Sequence, residues 1–234
     1  MPYHPDQQNP ADVLPTDAGY DLWSQLYDDE FNPLIALEEP QMRGRLVEVT
    51  EKAVLDVGTG TGRQADWLAS KGANVTAMDF SSGMLSQARK KPHADRIEFL
   101  QADLQQAWPI AEDRFEIALS ALVLDHIQEL DHFFTEMARV VAPGGRVLCS
   151  VMHPGMMLRG LQARFTDPET GQKIMPASAA NETSDYLMAA RRAGLELVFI
   201  SEHVVDDELA DAQPRAAKYR GWPLLLMMEW SIPR

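Results

Sequence analysis

The sequence predicts an α/β protein: a doubly wound parallel sheet with helices on both faces. Two observations carry that prediction. From residue 53 to residue 151, short apolar runs alternate with helical patterns, the rhythm of repeated strand–helix–strand units. The first of these runs is apolar on both sides, as strands buried on both faces are. Size agrees, since 234 residues suit one such domain with a modest addition.

The elements follow in order. Residues 1–17 are polar and proline-containing and read as a loose leader. The helical stretch 19–49 carries Tyr20, Trp23, Tyr27 and Phe31 at three- and four-residue steps, roughly one face, with interruptions expected at Pro33 and Pro40. Residues 53–57 form the first strand. A helix over 61–71 stops at Gly72, and 74–78 is a second strand ending at Asp79. Ser81 or Ser82 caps the next helix, which ends before Pro92. Strands follow at 97–100, just before Asp103, and at 115–119. An amphipathic helix over 130–141 meets Pro143-Gly144-Gly145, and 146–151 is the fifth strand. Residues 153–183 break the rhythm and read as irregular. A helix over 184–193 closes at Gly194, and 195–205 and 224–230 are the last strands, separated by a charged loop.

Composition excludes several classes of protein. Lys and Arg number 21 against 35 Asp and Glu, a net charge of −14. So acidic a chain repels polyphosphate, which argues against a nucleic-acid binder. The single cysteine, Cys149, rules out an internal disulfide and reads as a small buried strand residue. No run approaches the length of a membrane span and the start lacks a signal sequence, so a cytoplasmic location is expected. The spacing of the six histidines matches no zinc motif, and no metal is expected.

The chemistry is concentrated after the first strand. Leu55-Asp-Val-Gly-Thr-Gly-Thr-Gly62 delivers three glycines into a tight turn that leads straight into a helix. Such a turn lets backbone approach a ligand at the carboxyl edge of a sheet, where helix amides favour an anion. A dinucleotide turn wants a third glycine at position 63, which is Arg63. Instead, Asp56 precedes the first glycine by two residues, and an acid there suits an ammonium better than a pyrophosphate. Asp79, 21 residues after Gly58, is placed to accept both hydroxyls of a ribose; the plainer alternative is a capping acid ahead of Ser81. Asp103 can accept from an adenine amino group or simply serve a turn.

Ammonium, ribose and adenine together describe S-adenosylmethionine, and here the chain resembles the class I S-adenosylmethionine-dependent methyltransferases. Further motifs carry the likeness in order: Met78-Asp-Phe-Ser-Ser-Gly-Met-Leu85, Leu100-Gln-Ala-Asp103, Ala118-Leu-Ser-Ala-Leu-Val-Leu-Asp-His126 and Ala142-Pro-Gly-Gly-Arg146. It spans about 19–153 and, more weakly, 184–230. The resemblance implies a seven-stranded, mostly parallel sheet with 224–230 as its one reversed strand. It implies that Asp56, Gly58, Thr59, Gly60 and Gly62 line the methionine end, with Ser120 bordering the amine. Asp79 would hold the ribose, Phe80 and Met84 would flank the adenine, and Asp103 and Leu104 would meet its edge. Tyr20 and Tyr27 match, more loosely, the tyrosines of a helix that lids the cofactor; core packing is the plain alternative. Arg63 can pair with the cofactor carboxylate or face solvent. The division expected is 1–49 as leader and helical lid and 50–234 as the methyltransferase domain, with a substrate-pocket insertion at about 154–183.

The expected reaction is methyl transfer to a small-molecule acceptor, leaving S-adenosylhomocysteine. His126 and His153, after the fourth and fifth strands, are the candidate bases, although His126 can equally be a packed residue supporting the cofactor. The expected assembly is a monomer or homodimer without nucleic-acid or membrane partners. Alternatives are a cofactor-binding protein without catalysis, or a nicotinamide-dependent oxidoreductase.

Overall fold

The computed structural model describes residues 12–29 and 31–234. The first elements are β1 (Asp12–Leu14), α1 (Thr16–Trp23) and α2 (Pro33–Arg45). Next come β2 (Ala53–Val57), α3 (Arg63–Ser70), β3 (Asn74–Asp79), α4 (Ser82–Ala88) and β4 (Ile97–Gln101). The second half holds β5 (Phe115–Ala121), α5 (Leu130–Val140), β6 (Val141–Met152) and α6 (Pro154–Met157). A hairpin of β7 (Phe165–Thr166) and β8 (Lys173–Pro176) follows, then α7 (Thr183–Arg192) and β9 (Glu196–Val204). The chain ends with α8 (Asp207–Ala212), α9 (Pro214–Ala217) and β10 (Pro223–Ser231).

Seven strands make one sheet in the order β4-β3-β2-β5-β6-β10-β9. Pairing is parallel from β4 to β6, and β10 runs antiparallel to both β6 and β9. The expected doubly wound sheet is therefore present, and its reversed strand is the one expected at 224–230. Alternation along β2 explains the layering. Val54 joins Met42, Leu46, Ala65 and Leu68 beneath α2 and α3. Leu55 and Val57 join Phe133, Phe134, Met137 and Tyr186 beneath α5 and α7. A strand covered on both faces must be apolar throughout, and the one acid in β2, Asp56, is the exception that marks the site. Chain order reverses between β2 and β5: β3 and β4 are added on one side, β6 on the other. The connections leave in opposite directions there and open a crevice at the strand ends.

Five local expectations change, the first being that residues 153–183, expected to be irregular, contain α6 and the β7–β8 hairpin. Pro40 does not interrupt its helix: α2 runs through it, with Pro33 at the first turn and the Asn32 side chain capping Leu34 N–H. Tertiary bonds hold α2 in place, because Arg45 and Arg146 both hydrogen-bond the buried carboxylate of Glu229 in β10. The fifth expected strand begins earlier. Val141 already pairs with Phe115, the chain bulges through Pro143-Gly144-Gly145, and pairing resumes at Arg146 opposite Ile117. The end of the leader is not loose: β1 pairs in parallel with β8, so residues 12–14 and the insertion form a second, three-stranded sheet. Residues 1–11 lie outside the described residues. Finally, the charged loop after β9 contains α8 and α9. Cys149 is buried, and burial pushes its thiol up. Among the described residues no helix is long and apolar enough to cross a membrane, and no cluster of side chains is suited to a metal.

Candidate functional site

The turn after β2 is shaped by backbone bonds that reach the neighbouring strand. Gly58 and Thr59 N–H both donate to the Met78 carbonyl at 2.8 and 3.0 Å, and Gly62 N–H returns to Thr59 O. Gly60 sits at φ +56° with nothing within 4 Å of where a Cβ would stand, so it presents bare backbone to open space. Its N–H donates to Asp79 Oδ2 at 2.8 Å. The third glycine serves a different end. A Cβ on Gly62 would stand 2.8 Å from the Ala88 Cβ, so Gly62 allows α3 to start against α4 and does not line the cleft.

A cleft lies over this turn. Of the expected residues, Asp56, Gly58, Thr59, Gly60, Arg63, Asp79, Phe80, Met84, Leu104, Tyr20, Tyr27 and His126 line it. Two of them are buried carboxylates. Asp56 accepts from Thr59 Oγ1 at 2.6 Å, while its Oδ1 has no partner. Burial pushes its pKa up to about 6, against the lowering by the Thr59 hydroxyl and the Arg63 charge. Asp79 accepts from Gly60 N–H and, at 2.9 Å, from Ser81 N–H; burial again pushes its pKa up to about 6. An unpaired buried carboxylate oxygen costs free energy until a donor meets it, so Asp56 is suited to a cationic donor such as an ammonium.

Four expected residues lie elsewhere. Besides Gly62, Asp103 is an exposed turn residue whose Oδ1 accepts from Gln105 N–H at 2.9 Å. Ser120 is fully buried and gives its hydroxyl to the Val57 carbonyl at 2.9 Å. His153 does not line the cleft: Nδ1 accepts from Gly155 N–H and Nε2 meets Glu202 at 3.1 Å. Arg63 lines the cleft, yet its guanidinium is engaged by Glu38 at 2.7 Å and Glu39 at 3.2 Å on α2. Glu38 is fully buried and also takes Gln64 Nε2. The sequence carries no signal for this ion pair, because the partners are 25 residues apart on elements of different phase. Thr16, Thr61, Gln64 and 121–123 also line the cleft and were not expected.

A strap formed by β1 and α1 covers the cleft and is fastened at three places. β1 pairs with β8. Asp21 accepts from Gly83 N–H at 3.0 Å and from the Ser81 hydroxyl, beside Asp79. Tyr20 Oη lies 2.8 Å from His126 Nε2, and His126 Nδ1 lies 2.8 Å from the Ala177 carbonyl. A carbonyl only accepts, so Nδ1 donates to it. Burial raises both phenols, Tyr20 well above its ordinary range and Tyr27 to about 12, so both stay neutral donors.

Beyond Tyr20, Tyr27 and Leu122, which it shares with the cleft, lies a second, larger cavity. Trp23, stacked on Phe165 at 5.0 Å, belongs to its wall together with 161–164 of the insertion and residues of and after α9. Buried Asp125 also faces it.

Comparison with known proteins adds to this geometry. Residues 55–149 match a family model described as a methyltransferase domain. A protein of Emericella nidulans named as an uncharacterized methyltransferase is 33% identical over 80% of this chain and 78% of its own length. The malonyl-[acyl-carrier protein] O-methyltransferase of Pseudescherichia vulneris is 33% identical over 59% of this chain, and the match spans about half (51%) of that relative. Among solved structures, an S-adenosylmethionine-dependent methyltransferase from Mesorhizobium loti superposes with a TM-score of 0.70 at 25% identity, covering 86% of this chain and all (100%) of that one.

Proposed function

From the premise that this chain belongs to the class I S-adenosylmethionine-dependent methyltransferases, we propose that it methylates a small molecule seated in the second cavity. Membership sets aside the nicotinamide alternative and a purely binding role. The observation that carries the proposal is the shared wall: the cleft for the methyl donor and the larger cavity meet at Tyr20, Tyr27 and Leu122.

Bound S-adenosylmethionine supplies a methyl group on a positively charged sulfur. The unpaired oxygen of Asp56 takes its ammonium, and Asp79 takes the ribose hydroxyls while Gly60 and Ser81 N–H hold that carboxylate still. Phe80, Met84 and Leu104 provide the apolar slot for the adenine. Tyr20 and Tyr27 close the cleft from above and exclude water, and His126 is a positioning residue whose hydrogen bond anchors Tyr20. Holding the acceptor in line at about 3 Å from the methyl carbon is the main catalytic task, worth several kcal/mol in avoided entropy loss.

Calorimetry with S-adenosylmethionine, S-adenosylhomocysteine and NAD tests the cleft: the first two bind and NAD does not. Incubation of cell extract with methyl-labelled donor tests the acceptor. Label in the low-molecular-mass fraction supports the proposal; label confined to protein or nucleic acid overturns it.

A further inference from the structure

Both histidines expected as bases are engaged in the structure. His126 uses its two ring nitrogens on Tyr20 Oη and the Ala177 carbonyl, and His153 uses its own on Gly155 N–H and Glu202. Asp125 is in a different position. It lines the second cavity and is only 5% exposed. Among the described residues its Oδ1 has no hydrogen-bond partner, and its Oδ2 stands 3.8 Å from His126 Nε2, beyond hydrogen-bond reach. A carboxylate buried without donors costs free energy, so the fold gains nothing from it. Its backbone is nevertheless held firmly. Asp125 belongs to the single turn Leu124–His126. The insertion grips that turn: Ala179 N–H donates to the Asp125 carbonyl at 2.7 Å, and Asn181 Nδ2 donates to the Ile127 carbonyl at 2.8 Å. The turn stands at the wall shared by cleft and cavity. His126 Nε2 lies 2.8 Å from the Tyr20 hydroxyl and 3.8 Å from the Asp125 carboxylate, and Tyr20 lines both spaces. Burial is the main cause that raises the Tyr20 and Tyr27 phenols, and the charge of Asp125 adds to it at both, so its field reaches that wall.

We propose that Asp125 is the base of the reaction and that the atom methylated is the oxygen of a hydroxyl or the nitrogen of an amine. The proposal rests on the methyltransferase reading of the adjoining cleft. An O–H or N–H group supplies the donor that the Asp125 carboxylate lacks. A carboxylate acceptor would instead bring a second negative oxygen against it in a buried place, where like charges repel strongly. A C–H group is too weak a donor to satisfy it. In the transfer, the acceptor's lone pair forms the bond to the methyl carbon while the carbon–sulfur bond breaks and leaves its electron pair on sulfur. The proton passes from the acceptor's oxygen or nitrogen to Asp125, and from there to water when the product departs. Charge balances, since a sulfonium and a carboxylate become a thioether and a carboxylic acid.

The test incubates the protein with cell extract and S-adenosylmethionine carrying carbon-13 in its methyl group, and locates the label in the purified low-molecular-mass product by NMR. Label on a hydroxyl oxygen or an amine nitrogen is the expected result, and which of the two it is identifies the acceptor group. Label on a carboxylate oxygen, a sulfur or a carbon overturns the inference. This arm uses the unaltered protein, so it decides whether or not a variant folds. Asp125→Asn keeps the shape of the side chain and removes its charge. It is expected to slow transfer to that product by about a hundredfold or more, the lower end of what a general base contributes. Affinity for S-adenosylhomocysteine stays within about threefold, because Asp125 does not line the cleft, and Tm does not fall, because the carboxylate has no partner in the fold. A smaller loss of rate, or a lowered Tm, overturns the role as base. Failure to bind S-adenosylhomocysteine, or no label in the low-molecular-mass fraction, overturns the methyltransferase reading and this inference with it. Label in that fraction on an excluded atom overturns this inference alone.

Discussion

Asp56 and Asp79 show how much a single side chain can decide. Both are carboxylates in a nearly dry cleft, and burial holds each near a pKa of about 6. The signs of two predictions follow. Asp79→Ala removes the acceptor for the ribose hydroxyls and weakens S-adenosylhomocysteine binding by about 1–3 kcal/mol in calorimetry; unchanged affinity would show that Asp79 does not hold the ribose. Asp56 must be ionised to hold an ammonium, so below pH about 6 binding has to expel a proton first. Affinity therefore falls by up to about tenfold per pH unit on that side and is flat above it. Asp56→Asn binds more weakly at pH 7.5, with a shallower slope between pH 5 and 6; an unchanged slope assigns the titration elsewhere.

At the scale of elements, α2 and the strap are where local rules yield to tertiary contacts. A proline inside a helix removes one backbone bond and usually costs up to about 3 kcal/mol. α2 carries Pro40 regardless, because Glu38 on its inner side meets Arg63 and Gln64, and Arg45 meets Glu229. Pro40 is exposed and outside the cleft. Pro40→Ala is expected to raise stability by about 1–2 kcal/mol in thermal unfolding without changing cofactor affinity; a loss of stability would show that the ring itself packs usefully. The strap depends on a tyrosine–histidine bond as much as on strand pairing. Tyr20→Phe leaves the ring stack on Trp23 and removes the bond to His126. It is expected to speed amide exchange over 12–29 about fivefold or more, since a bond worth about 1 kcal/mol is lost.

For the whole molecule, the raised pKa values make stability depend on pH in a definite direction. Between about pH 4 and 6 the folded protein keeps protons on Asp56 and Asp79 that the unfolded chain has lost. Their contribution is thus full below pH 4 and is lost as pH rises through about 6. A ligand that pairs both carboxylates relieves this cost. The rise in Tm on saturating with S-adenosylhomocysteine is therefore larger at pH 7.5 than at pH 5, and equal shifts would place the titrating groups outside the cleft.

Most of the sheet was legible because strand runs and glycine stops are local signals: Ala53–Val57, Asn74–Asp79 and the reversed strand ending the chain fall where the pattern puts them. The backbone turn was legible for the same reason, since Gly58, Gly60 and Gly62 stand within five residues of one another directly after a strand. Position along the chain could not say which way a side chain faces. Ser120 turned to a neighbouring carbonyl, Asp103 to its own turn, and His153 away from the cleft. Sequence alone thus determined the α/β frame and the acid-bracketed turn, because each depends on residues close together in the chain. Only the tertiary structure decided that Arg63 belongs to Glu38, that β1 and β8 close the strap, and that His126 and Asp125 come to stand beside Tyr20. Those contacts join residues far apart, and their energy exists only once the chain has brought them together.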